Sequence, residues 1–257
     1  MPLVHEGQRV RVLDVPVDVL SLDGTVAWVE RHVRSREPVT HLCVNAANVV
    51  RAHEEPAYRD LLDRGDVVGA DGQPFQWVAR MLGQPLAGRV AGIDLMERVL
   101  DRARQEGWSV YLLGAQAHVV DRLAARLRAA GIGVAGHRDG YFRPEDADEV
   151  AAEVAKSGAD VLFVGMPTPG KEEFIVHHAG PAGVPVCIGV GGSFDVLAGE
   201  LRRAPRLLQR IGLEWLFRLA QEPRRLFSRY AVTNTKFLAI VARAVLGRPG
   251  GGVTTGR

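Results

Sequence analysis

The sequence predicts an α/β protein: a mostly parallel sheet flanked by helices, with a helical, basic appendage at its C-terminal end. Three observations carry that expectation. Short apolar, β-branched runs alternate with longer amphipathic stretches, as in chains that alternate strand and helix. Glycines fall where the amphipathic stretches should stop. Beyond Gly199 the alternation gives way to a helical pattern studded with arginine.

Taken in order, the expected strands are His41–Val44, Asp66–Val68, Ser109–Leu113, Ile132–Ala135, Asp160–Val164 and Val186–Val190. Between them, 95–106 and 119–130 place apolar residues at three- and four-residue spacing, and Gly107 and Gly131 follow as helix stops. Strands without a polar face want burial on both sides, and helical crossovers join parallel neighbours. A Rossmann-like core over about residues 10–195 follows, with any ligand expected beyond the carboxyl ends of its strands. The division expected is an α/β core over 1–199, a helical Arg-rich appendage over 200–246 and a disordered tail over 247–257, which is rich in Gly and Thr.

With 257 residues, 47% of them hydrophobic, the chain can bury a large core. Its formal net charge of +2 gives no case for a nucleic-acid partner. Cys43 and Cys187 lie far apart in apolar runs, which reads as buried strand thiols in a reducing compartment. Residues 1–10 lack the basic and apolar regions of a secretory signal, so a cytoplasmic location is expected. The most apolar segment, Phe237 to Leu246, is short and carries Arg243, so membrane contact would be peripheral.

Asp71 lies in Gly69-Ala70-Asp71-Gly72-Gln73-Pro74, directly after a predicted strand, where a sharp turn can project a carboxylate into a cleft as a general base. Taken alone, an Asp-Gly turn whose carboxylate bonds its own backbone explains the residue better. Asn45, leaving another predicted strand, has the same two readings. Gly189-Val190-Gly191-Gly192-Ser193 could let backbone amides approach a phosphate, but it is neither G-x-G-x-x-G nor a P-loop. Tight turns account nearly as well for these glycines, and for Gly114 and Gly165 at other strand ends. Asp146-Ala147-Asp148 follows Pro144 and reads as the acidic start of a helix rather than a metal motif. The adjacent His177 and His178 cannot face one ligand from a helix, so no metal site is expected.

The C-terminal run carries Arg202, Arg203, Arg206, Arg210, Arg218, Arg224, Arg225 and Arg229, the last four interleaved with aromatic and aliphatic residues between Leu213 and Tyr230. Arg forks suit diphosphate oxygens, and a one-signed face with apolar anchors suits an anionic membrane surface.

In order and spacing, these segments resemble the WecG/TagA/CpsF family of bacterial glycosyltransferases over about residues 39–230. The resemblance rests on Asn45, Ala70-Asp71-Gly72, Arg89-Val90-Ala91-Gly92-Ile93-Asp94-Leu95, Val110-Tyr111-Leu112-Leu113-Gly114 and Gly140-Tyr141-Phe142. It continues through Val164-Gly165-Met166-Pro167 to Glu172, Gly189-Val190-Gly191-Gly192-Ser193-Phe194-Asp195, Arg203-Ala204-Pro205 and Gly212-Leu213-Glu214-Trp215-Leu216.

The resemblance implies metal-free, inverting transfer of a hexose or N-acetylhexosamine from a UDP-sugar to an undecaprenyl-diphosphate-linked sugar, with no cofactor. Asp71 falls on the family's proposed general base, and Lys171 takes the place of its catalytic-site glutamine. Asn45, Gly72, Gly114, Gly165, Glu172, Gly191, Gly192, Arg218, Arg225 and Arg229 fall on the donor and diphosphate region. The implied partners are the UDP-sugar, the lipid-linked acceptor and the inner face of the cytoplasmic membrane. An assembly of identical copies would fit exposed apolar residues such as Leu216.

Two positions depart from the family pattern. Cys43 replaces a threonine, and Lys171 is expected to alter donor or acceptor choice. Asp94 matches the family, but also reads as the N-cap of a helix beginning at Leu95. A nicotinamide oxidoreductase is disfavoured by the missing glycine fingerprint and acidic partner. A non-catalytic, nucleotide-sugar-binding peripheral membrane protein is the alternative, and it would tolerate loss of Asp71.

Overall fold

The computed structural model describes residues 7–246. The expected tail at 247–257 lies outside the described residues. A hairpin of β1 (Arg9–Val12) and β2 (Val15–Asp18) precedes α1 (Leu22–Ser35). There follow β3 (Val39–Val44), α2 (Ala46–Glu54), α3 (Pro56–Asp63), β4 (Val67–Ala70), α4 (Gln73–Met81) and α5 (Gly92–Glu106). Next come β5 (Ser109–Gly114), α6 (Ala117–Ala129), β6 (Gly133–Arg138), α7 (Ala147–Lys156), β7 (Val161–Gly165), α8 (Gly170–Phe174), β8 (Val186–Gly189) and α9 (Ser193–Leu197). Helices α10 (Arg206–Arg210), α11 (Glu214–Gln221) and α12 (Pro223–Leu246) complete the described chain.

The main sheet has six strands in the order β4-β3-β8-β7-β5-β6, every neighbouring pair parallel. Alternate side chains enter two separate cores. Leu42, Val44, Val68, Leu113, Leu162, Val164 and Cys187 face α2, α3, α7 and α8, whereas Val110, Leu112, Val161, Phe163, Val186 and Ile188 face α1, α5 and α6. Burial on both faces is why these strands are apolar without interruption. The fold is the α/β architecture expected, with a C-terminal helix. Phe237 and Val241 of α12 join the same core as Val49 and Val50 of α2.

The hairpin is an addition to the sequence expectation. Leu13 and Asp14 both adopt left-handed backbone, with φ of 51° and 62°, the turn geometry whose twist matches a hairpin. Arg9 donates Nε and Nη2 to the two Asp18 carboxylate oxygens at 3.1 and 2.8 Å. The Val68 amide donates to Asp18 at 2.7 Å, tying the hairpin to β4.

Other local expectations resolve in the same way. Gly107 closes α5 in left-handed conformation. Ala147 opens α7 directly after a single 3-10 turn at Pro144–Asp146, in keeping with acidic helix-start residues there. Cys43 and Cys187 are buried, free strand thiols. Asp94 is a correction: α5 begins at Gly92 with Ala91 as its N-cap, leaving Asp94 inside the first turn, where its carboxylate forms ion pairs.

Strands β5 and β7 approach so closely at their carboxyl ends that a Cβ on Gly114 would lie 2.5 Å from the Gly165 carbonyl carbon and oxygen. Gly114 also has φ of 138°. We expect Gly114→Ala to lose about 2–4 kcal/mol of stability in urea unfolding, from overlap and backbone strain together. A loss under about 0.5 kcal/mol would mean that the two strand ends can part.

Candidate active site

The carboxyl ends of β3, β4, β7 and β8 bring together residues separated by long stretches of sequence. Asn45, just past β3, caps α2: its Oδ1 accepts from the amides of Ala47 and Asn48 at 2.9 and 3.4 Å, and Asn48 Oδ1 accepts from the Asn45 amide at 3.0 Å. The capping box fixes the chain as it leaves the sheet. Next to it, the Asp71 amide donates to the Val44 carbonyl at 2.8 Å, stitching the ends of β3 and β4 together. Gly72 then turns with φ of 93°, conformational freedom that glycine supplies, and α4 departs. The side chain of Asp71 is left at the rim.

Among the described residues no group donates a hydrogen bond to the Asp71 carboxylate, so the turn does not use it to bond its own backbone. Burial raises its pKa from the usual 3.8 to about 6; Arg89 and Lys171 pull it down, while Glu214 and Asp94 push it up. The result is an ionisable group poised just below neutrality, as a general base requires.

Two cations face this carboxylate from different elements. Arg89 precedes Val90, whose amide donates to the Ala70 carbonyl at 2.9 Å, so the loop runs along the end of β4. Its guanidinium bonds Asp94 of α5 and Glu214 of α11, each at 3.0 Å. Arg203 bonds Asp94 and, at 2.8 Å, Glu97. The C-terminal basic run is thus less one-signed than its sequence suggests, because Arg203 is matched by acids from α5.

Lys171 and Glu172 lie at the start of α8, both buried, their charged groups 2.9 Å apart. The lysine stem passes β8 so closely that a Cβ on Gly189 would lie 3.0 Å from its Cδ. Thr168 Oγ1 and Asn48 Nδ2 also donate to Glu172 Oε1, at 3.1 and 3.4 Å. Glu172 Oε2 has no partner among the described residues. Below, burial holds His41 down to about 3 and pushes the Cys43 thiol up to about 12, so both are neutral near pH 7.

After β8, Gly191 has φ of 53° and open space where a Cβ would stand. Arg218 of α11 reaches Gly192, its Nη2 donating to the carbonyl at 3.4 Å. A Cβ on Gly192 would collide with that guanidinium. Gly114 and Gly165 also lie at this edge, but packing accounts for their identity: Gly114 meets Gly165, and Gly165 meets the Phe194 ring. The side chains of Arg225 and Arg229, both on α12, lie outside the described residues. Among the described residues no three His, Cys, Asp or Glu side chains gather in a way that could hold a metal ion. Nor is any helix among them long and apolar enough to cross a membrane.

The structure therefore joins Asn45, Asp71, Gly72, Lys171 and Glu172 through contacts or direct electrostatic influence, and places Gly191, Gly192 and Arg218 at the same sheet edge. It adds Arg89, Glu214, Asn48 and Thr168. Of these, Arg89 and Glu214 had a signal, since both stand in the family-like segments, but no spacing rule pairs charges so far apart in sequence.

A carboxylic acid whose folded pKa is raised binds a proton more readily in the folded chain. Ionising Asp71 therefore costs stability: the cost is absent below pH 3.8, grows as the pH rises toward 6 and is complete above it. We expect Asp71→Asn to stabilise the protein by about 1–3 kcal/mol at pH 8, a range that allows for partial solvent screening. The gain should disappear by pH 4 in thermal unfolding, and a gain independent of pH would assign it to something other than the charge.

Similarity to known proteins extends over nearly the whole chain. The model of the glycosyl transferase WecG/TagA/CpsF family matches residues 10–250, so the protein belongs to that family of glycosyltransferases, whose chemistry serves polysaccharide biosynthesis.

Proposed function

We propose that the protein is an inverting, metal-independent transferase that moves a hexose or N-acetylhexosamine, such as N-acetylmannosamine, from a UDP-sugar to an undecaprenyl-diphosphate-linked sugar. It would act at the inner face of the cytoplasmic membrane, in assembly of an exopolysaccharide, capsule or cell-wall polymer. The observation that carries this reading is Asp71, a carboxylate without hydrogen-bond partners among the described residues, held at the carboxyl edge of a parallel sheet with a pKa near 6.

In the proposed step, an acceptor hydroxyl attacks the anomeric carbon as Asp71 takes its proton. The new C–O bond forms on the face opposite the breaking bond to the diphosphate, and UDP leaves with the bonding electrons. One displacement inverts the centre. Above pH 6 Asp71 is mostly ionised and can accept the proton. Arg218, joined by Arg225 and Arg229, supplies positive charge to the departing diphosphate, the role a metal would otherwise fill. The glycine turn at Gly191 and Gly192 leaves room for a phosphate beside the backbone, Gly72 and Asn45 line the approach to Asp71, and Lys171 with Glu172 completes the charged set.

The test is UDP release from a panel of UDP-hexoses and UDP-N-acetylhexosamines with a synthetic prenyl-diphosphate-sugar acceptor, in the presence of chelator. The expected result is acceptor-dependent turnover that Asp71→Asn reduces by about 10²–10⁴-fold. Turnover that chelation abolishes would contradict metal independence. Donor binding without turnover on any pair would favour a non-catalytic membrane-associated protein.

A further inference from the structure

We propose that Glu214 is a positioning residue of this site: by bonding Arg89 it fixes α11 across the sheet edge and leaves Arg218, one turn further along the helix, available to a phosphate at Gly192. This inference rests on the reading of Arg218 as a group that meets the donor diphosphate. Glu214 itself touches no substrate and acts through Arg218.

Residues four apart share a helix face, and a glutamate four residues before an arginine is well placed to pair with it. On α11 that pair does not form. Glu214 Oε2 lies 3.0 Å from Arg89 Nη1 instead, and Arg218 turns to the Gly192 carbonyl, which its Nη2 reaches at 3.4 Å. Among the described residues no acid lies within ion-pair distance of Arg218. Its bond to Gly192 is long for an N–H···O contact. A phosphate oxygen beside the glycine turn would offer that guanidinium a stronger, charge-assisted one.

The two contacts of α11 fall on different strands. Arg89 adjoins the end of β4, where the Val90 amide donates to the Ala70 carbonyl at 2.9 Å. Gly192 follows β8, and β3 runs between β4 and β8 in the sheet. Helix α11 is thus anchored on both sides of β3. The anchor at Glu214 is the firmer of the two: the Arg89 side chain is only 15% exposed, and Asp94 of α5 holds its Nη2 at 3.0 Å. The turn before α11 also rests on α4, since a Cβ on Gly212 would lie 3.1 Å from the Trp77 ring and 3.4 Å from Pro74 Cδ. Arg218 has only its long bond to Gly192, so its place depends on how the start of α11 is held.

The test is a double-variant cycle on UDP affinity, measured by calorimetry on the full chain with Glu214→Ala, Arg218→Ala and both. Glu214→Ala should weaken UDP about tenfold, the size of effect expected when a charge-assisted contact is lost. Arg218→Ala should weaken it at least as much, and the double variant no further than Arg218→Ala alone. A Glu214 with a merely structural part would weaken UDP by the same factor with or without Arg218. Such independent losses would overturn the proposal, as would unchanged affinity in Glu214→Ala. Should Glu214→Ala not fold, Glu214→Gln is read in the same way. Hydrogen exchange without nucleotide separates this proposal from the transferase reading: Glu214→Ala should speed exchange of the Arg218–Gln221 amides about tenfold or more. Equal exchange would overturn the fixing of α11, and faster exchange in a native chain that binds no UDP would keep the anchor and overturn its link to a phosphate.

Discussion

Six strands that run the same way must all end on the same edge of the sheet, and each must pass into a helix that returns the chain to the opposite edge. That constraint gathers chemistry from distant segments at one rim. Asn45, Asp71, Gly114, Gly165 and Gly191 each lie at or just beyond the end of a strand. Neighbouring strands β3 and β8 send their chains to helices on opposite faces, α2 into one core and α9 into the other. The departing helices diverge, which opens the edge there to a ligand.

Within that rim the governing balance is between burial and charge. Burial is the largest influence on Asp71 and pushes its pKa up, with Glu214 and Asp94 adding to it, while Arg89 and Lys171 pull it down. Together they leave it near 6. The same cations bind the architecture around them: Arg89 links the end of β4 to α5 and α11, and Lys171 with Glu172 links α8 to α2. Ionised above about pH 6, this partly buried carboxylate is thereby a burden on stability, an arrangement common where function needs a group out of its preferred surroundings.

Much of the fold was legible because apolar runs of strand length stood between glycine stops, and all six sheet strands occur at the expected places with shifts of a few residues at their ends. The hairpin leaves no such mark in the sequence, because its turn is Leu13-Asp14, without the glycine that usually signals one. Asp94 misled for a related reason: an acid before an apolar helical run reads as a cap, but the helix starts at Gly92 and frees the carboxylate to bond Arg89 and Arg203. Asp71 was visible as a carboxylate after a strand. What the sequence does not show is whether its side chain folds back on the turn, because that depends on burial and on the charges of Arg89, Glu214 and Lys171, which tertiary packing brings within electrostatic reach. The C-terminal arginines were legible as a group and not as individuals, since Arg203 is matched by acids over a hundred residues earlier in the chain, while Arg218 turns to the glycine turn after β8.

The central claim is that Asp71 is an ionisable group poised near neutrality at the sheet edge. Its most direct test is titration of the Asp71 side-chain carboxyl carbon by NMR, assigned by comparison with Asp71→Asn in aspartate-labelled protein. The account predicts a midpoint near 6, whereas a midpoint near 3.8 would contradict it and return Asp71 to the part of an ordinary turn residue.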